Sequence, residues 1–118
     1  MKINWVTLKV RDLDASREFY EDCLGLDFVR EFTTPDGRTI AFFEAENGME
    51  IELIGMNTGD TEIHDRISIG MEIPNFDEIL DEARRRELLI SGPMVLGGSI
   101  ECFFMADPDG NTLQIMKG

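Results

Sequence analysis

Polar and apolar residues alternate along Trp5-Val6-Thr7-Leu8-Lys9-Val10 with the two-residue period of a strand. Val6, Leu8 and Val10 fall on one face, and Trp5, Thr7 and Lys9 on the other. Asp12 is placed to cap a helix. Leu13, Phe19-Tyr20 and Cys23-Leu24 form an apolar stripe that predicts a helix over Leu13 to Leu24, ended by Gly25. Strands are predicted near Leu26 to Thr33, Thr39 to Ala45 and Met49 to Met56. Thr34-Pro35-Asp36-Gly37 and Asn47-Gly48 are the turns between them. The pattern then begins again: a strand over Ile67 to Ile73, a helix over Phe76 to Leu88, a strand near Pro93 to Leu96 after Ser91-Gly92, a Gly97-Gly98 turn, a strand over Ile100 to Ala106, and Thr112 to Met116 after Asp107-Pro108-Asp109-Gly110-Asn111.

This order is a repeat. Phe42-Phe43-Glu44-Ala45 followed by Glu52-Leu53-Ile54 returns about half a chain later as Phe103-Phe104-Met105-Ala106 followed by Gln114-Ile115-Met116, and Trp5 matches Ser68. The expected architecture is α+β: two βαβββ modules in one chain, with a mainly antiparallel curved sheet enclosing a cleft. Residues 1–118 are expected to form a single domain, with module one at about 1–57, a polar linker at about 57–65 and module two at about 66–118. In each module the helix covers the apolar sheet face. The other face is left for a ligand or a partner subunit.

The 118 residues suffice to bury a core without disulfide or metal staples. Apolar residues make up 42%, no run approaches the ~20 needed to span a bilayer, and the N-terminus lacks an apolar signal region. A cytoplasmic protein with no membrane partner is expected. The formal charge of −13 repels phosphate backbones, so nucleic acid is not an expected partner, and cationic ligands are favoured. Cys23 and Cys102 match no zinc or redox spacing and read as buried thiols. His64, the single histidine, falls in the linker and cannot by itself support a hydrolytic triad. Arg84-Arg85-Arg86 closes a helix that opens with Asp77 and Glu78, which reads as a solvated end matched to the helix dipole. Of Phe42-Phe43 and Phe103-Phe104, one ring each belongs to the core, leaving Phe42 and Phe103 or their neighbours for the cleft.

Val10-Arg11-Asp12-Leu13-Asp14-Ala15-Ser16-Arg17-Glu18-Phe19-Tyr20, with Leu24-Gly25 after it, and the distal Asp107-Pro108-Asp109-Gly110-Asn111 together resemble the vicinal oxygen chelate superfamily. That superfamily includes glyoxalase, extradiol dioxygenases, fosfomycin resistance enzymes and bleomycin-binding proteins. The resemblance implies a divalent metal held by one His or Glu from the first and last strand of each module. Those positions fall on Trp5, Glu52, Ser68 and Gln114. Only Glu52 is a strong ligand, since Trp offers an N–H donor and Ser and Gln are weak neutral ligands. No metal cofactor is therefore expected; zinc, nickel, manganese or iron belongs to the alternative reading.

The altered cleft, lined by Trp5, Thr7, Glu50, Glu52, Ser68, Gln114 and Met116, suits a cationic or aromatic organic molecule. The leading reading is metal-free binding for sequestration or resistance, as in the bleomycin-binding branch, in a homodimer of the kind the resemblance implies. Glu52 is the candidate general base should the site also be catalytic. The alternatives are a metal-dependent lyase, isomerase or dioxygenase, and a regulatory interaction module.

Overall fold

The structure, a computed structural model, describes residues 3–55 and 67–118, so the linker, with His64, lies outside the described residues. Two compact units, Met1–Glu62 and Ile63–Gly118, divide the chain. The first contains β1 (Trp5–Val10), α1 (Leu13–Arg17), β2 (Asp27–Thr33), β3 (Thr39–Glu44) and β4 (Glu50–Gly55). The second contains β5 (Ser68–Ile73), α2 (Phe76–Arg85), β6 (Leu89–Leu96), β7 (Ile100–Ala106) and β8 (Thr112–Lys117). Each builds one four-stranded sheet, in the orders β1-β4-β3-β2 and β5-β8-β7-β6. The first and last strands of each unit run parallel and the other neighbours antiparallel. The repeated sequence thus folds as a repeated α+β topology.

Asp12 caps α1 as expected, its side chain accepting from the Ala15 N–H at 3.2 Å. The helix itself departs from expectation. After Arg17 it widens into a π-wound turn over Glu18–Cys23, with the Leu24 N–H reaching back to the Phe19 carbonyl at 2.9 Å. The wider turn brings the consecutive rings of Phe19 and Tyr20 fully inside, edge to face at 5.1 Å. Val10, Ala41, Phe43 and Leu53 of the same unit are likewise without exposure. Burying each of the larger side chains contributes about 1.5–3 kcal/mol.

In the second unit α2 buries Phe76, Ile79, Leu80 and Ala83, and the sheet buries Phe103, Met105, Leu113 and Ile115. The three arginines at its end bond along their own helix: Arg84 with Asp81, and Arg85 and Arg86 with Glu82. A solvated helix end is what the charge pattern implied.

Two expectations need correction here. The strand expected near Pro93 to Leu96 begins at Leu89. Register breaks between Leu89 and Ser91 and again between Ser91 and Met94 interrupt its alternation. Gly92 sits at that break with φ 104°, where a Cβ would meet the Phe103 backbone at 3.0 Å, so only glycine fits. The second correction concerns Phe103. Its ring packs on Phe76 at 5.1 Å in the core, and Phe104 is the one that pairs with Gln114 on the open face. In the first unit Phe42 pairs with Glu52, so Phe42 corresponds to Phe104 and not to Phe103.

The Asp107–Asn111 turn leads into β8. One Asp107 carboxylate oxygen accepts from the backbone N–H groups of Asp109 (2.9 Å) and Asn111 (2.8 Å), and the other from the Asn111 side chain (2.9 Å). That buried clasp fixes where Thr112, Gln114 and Met116 start along the strand.

Candidate functional site

Strand pairing defines the open face of the first unit. Trp5 lies beside Glu50, Thr7 beside Glu52 and Lys9 beside Ile54. Across β4, Glu52 meets Phe42, and across β3, Phe42 meets Arg30 and Ile40 meets Phe32. Trp5 is 45% and Phe32 48% exposed, large values for aromatic rings in a folded chain. Both contact the ring of Phe42: Trp5 edge-on at 5.5 Å, Phe32 stacked at 6.3 Å with 24° between planes. Three aromatic side chains, on β1, β3 and β2, thus make one platform.

The Arg30 guanidinium lies 3.9 Å from the centre of the Phe42 ring and forks onto Glu50, with contacts of 2.9 and 3.2 Å. Arg30 and Phe32 were not singled out by sequence. Phe28 faces the helix side, beside Phe43, and strict alternation would put Arg30 there too. A register shift between Phe28 and Arg30 turns Arg30 to the open face instead.

The fork changes what Glu50 can do. Its hydrogen bond from Arg30 holds the Glu50 carboxyl below its ordinary value of 4.5, and the same bond raises Arg30. A lowered carboxylate stabilises the fold above its unfolded pKa, and that contribution fades as pH falls through the folded value. Arg30→Gln is expected to return the Glu50 titration to the ordinary range, read by carbon-13 NMR of the side-chain carboxyl. An unchanged midpoint would mean the fork does not form in solution.

Glu52 is differently placed. Its Oε1 accepts the Thr7 hydroxyl at 2.6 Å, and Arg30 bonds Glu50 and not Glu52.

The open face of the second unit carries neutral groups where the first has Glu50 and Glu52, and the acid Glu72 where the first has Lys9. Ser68 pairs with Thr112, Gly70 with Gln114 and Glu72 with Met116. Gly70 stands where the first unit has Thr7, so Gln114 has no hydroxyl beside it. Its amide nitrogen lies instead 3.6 Å from the sulfur of the buried Cys102.

The divalent metal that the resemblance implies does not suit these side chains. In the first unit the two positions hold Trp5, which can only donate, and Glu52, already bonded to Thr7. In the second they hold the hydroxyl of Ser68 and the amide of Gln114. Neither pair supplies the imidazole and carboxylate donors of a transition-metal centre. Among the described residues no helix is long and apolar enough to cross a membrane.

Comparison with known proteins identifies the family. Residues 2–115 match the family model described as the Glyoxalase/Bleomycin resistance protein/Dioxygenase superfamily. Lactoylglutathione lyase of Haemophilus influenzae is 35% identical over 130 residues, covering 99% of this chain and 93% of its own. A probable lactoylglutathione lyase of Synechocystis is 33% identical over 125 residues, covering 93% of this chain and 90% of its own. In fold, the chain is similar to glyoxalase I of Leishmania major, with a TM-score of 0.81, 21% identity and coverage of 99% and 86%. It is also similar to an antibiotic binding protein from Streptomyces, with a TM-score of 0.75, 15% identity and coverage of 99% and 95%. By sequence and by fold, the chain belongs to the glyoxalase/bleomycin resistance protein/dioxygenase superfamily.

Proposed function

We propose that this protein binds a small planar organic molecule without a divalent metal and holds it for sequestration. The observation that carries the reading is the exposed platform of Trp5 and Phe32 around Phe42. Flat rings stack on such a surface at little entropic cost. Glu52 and the net charge of −13 favour a cationic ligand, while Arg30 and Glu50 neutralise each other beside the platform. We further propose that the protein acts as a cytoplasmic homodimer. The likeness to an antibiotic binding protein is consistent with capture in place of conversion.

A second reading is metal-dependent lyase chemistry. It is favoured by the 35% identity to a lactoylglutathione lyase and by the carboxylate retained at Glu52.

Trp5 is the chain's single tryptophan, so its fluorescence reports on the platform alone. The test titrates the full chain with the planar cation proflavine and the planar anion fluorescein. It also follows thermal melting with added Ni²⁺ or Zn²⁺ and with a chelator. Saturable quenching by proflavine, weaker quenching by fluorescein and no metal-dependent shift are expected. A chelator-reversible rise in melting temperature would overturn the metal-free reading in favour of the lyase.

A further inference from the structure

A groove of about 440 Å³ lies on the second unit, lined by Glu72, Ser99, Ile100, Glu101, Met116 and Lys117. Its size falls within the range of small-molecule pockets. The floor is strand surface. Glu72 and Met116 are paired neighbours on β5 and β8, and Met116 is paired with Cys102 on β7, so Ile100, two residues before Cys102, shares their face. The turn that carries Ser99 closes one end, through the Ser99 N–H to the Leu96 carbonyl at 3.2 Å.

The charges in the groove are not equivalent. Glu101 is paired with Lys117 at 3.6 Å, and these two cancel. Among the described residues, the Glu72 side chain has no hydrogen bond or ion pair. An unpaired carboxylate therefore stands beside a thioether and an isoleucine, in a chain whose overall field draws cations. Met116 is also adjustable. Its methyl lies 3.1 Å from where a Cβ on Gly70 would be, so the missing side chain at Gly70 provides the notch into which Met116 folds.

We propose that this groove is a second binding site, for a small primary ammonium compound whose apolar arm lies on Met116 and Ile100 and whose charge meets Glu72. Neutral isosteres are excluded only weakly by shape, so the discrimination rests on Glu72.

The probe is phenethylammonium, titrated at fixed ionic strength into the full chain with carbon-13 methionine methyl labels, and 2-phenylethanol is the neutral control. The Met116 resonance is assigned by its loss in Met116→Leu. Expected are a saturable shift of that resonance, at least severalfold weaker binding of the alcohol, and about fivefold weaker ammonium binding in Glu72→Gln, the scale of one exposed ion pair. Glu101→Gln is expected to change affinity less than twofold, because Lys117 already answers that charge. Gly70→Ala fills the notch and displaces only the flexible end of Met116, so the fold is retained while the Met116 response to the probe changes. No saturable shift at Met116, equal binding of the alcohol, or an unchanged affinity in Glu72→Gln would overturn the proposal. Trp5 fluorescence recorded in the same titration keeps the two sites separate. A groove that fails leaves proflavine quenching intact, and a platform that fails leaves the Met116 shift intact.

Discussion

Phe103→Ala is expected to lower the unfolding free energy by about 3–5 kcal/mol, the cost of emptying an aromatic site in a packed core. Phe104→Ala is expected to cost about 1–2 kcal/mol. The two residues are neighbours of the same type on the same strand, and the difference arises from which side of β7 each occupies. Phe103 is fully buried against Phe76 and Ile115, whereas Phe104 is half-buried beside Gln114. Urea denaturation with an unchanged slope reads the comparison directly. The reverse order would show that β7 sits one residue out of register, which would also move Gln114 to the wrong neighbour.

The second large effect concerns binding. Trp5→Ala is expected to weaken proflavine by about thirtyfold, or about 2 kcal/mol, as measured by calorimetry because the fluorophore is lost. Trp5 is on an outer strand and 45% exposed, so its removal leaves the core untouched and the melting temperature nearly unchanged. Phe42→Ala would be the poorer experiment. That ring is nearly buried, supports Trp5, Phe32 and Arg30 together, and its loss would mix binding with stability. An alanine at position 5 that binds proflavine as well as the parent chain would remove the platform from the proposed function.

The period-two pattern made both sheets and the outward direction of Trp5, Thr7 and Lys9 readable from the chain alone, because each strand has one apolar and one polar side. The repeat showed that Glu52 and Gln114 occupy matching places. What escaped detection lies where periodicity breaks. The apolar stripe marked Phe19 and Tyr20 but gave no sign that the helix widens after Arg17. Arg30 reverses side through one bulge, and the irregular start of β6 hid four residues of strand around Gly92. The Arg30 fork on Glu50 joins residues from two strands that are not sheet neighbours. Matching Phe42 to Phe103 aligned like letters, whereas the hydrogen-bonded ladder aligns Phe42 with Phe104.

Those same bulges bear on how the chain behaves in crowded solution. β2 and β6 each end a sheet, and each displays apolar side chains: Phe28, Val29 and Phe32 on one, Ile90, Val95 and Leu96 on the other. A straight, greasy border strand is a template on which another chain can add a strand and begin a fibril. Both borders here are bent out of regular register by their bulges, at Phe28/Arg30 and between Leu89 and Met94. The irregularity that turns Arg30 toward Phe42 thus also interrupts a border on which an aggregate could grow.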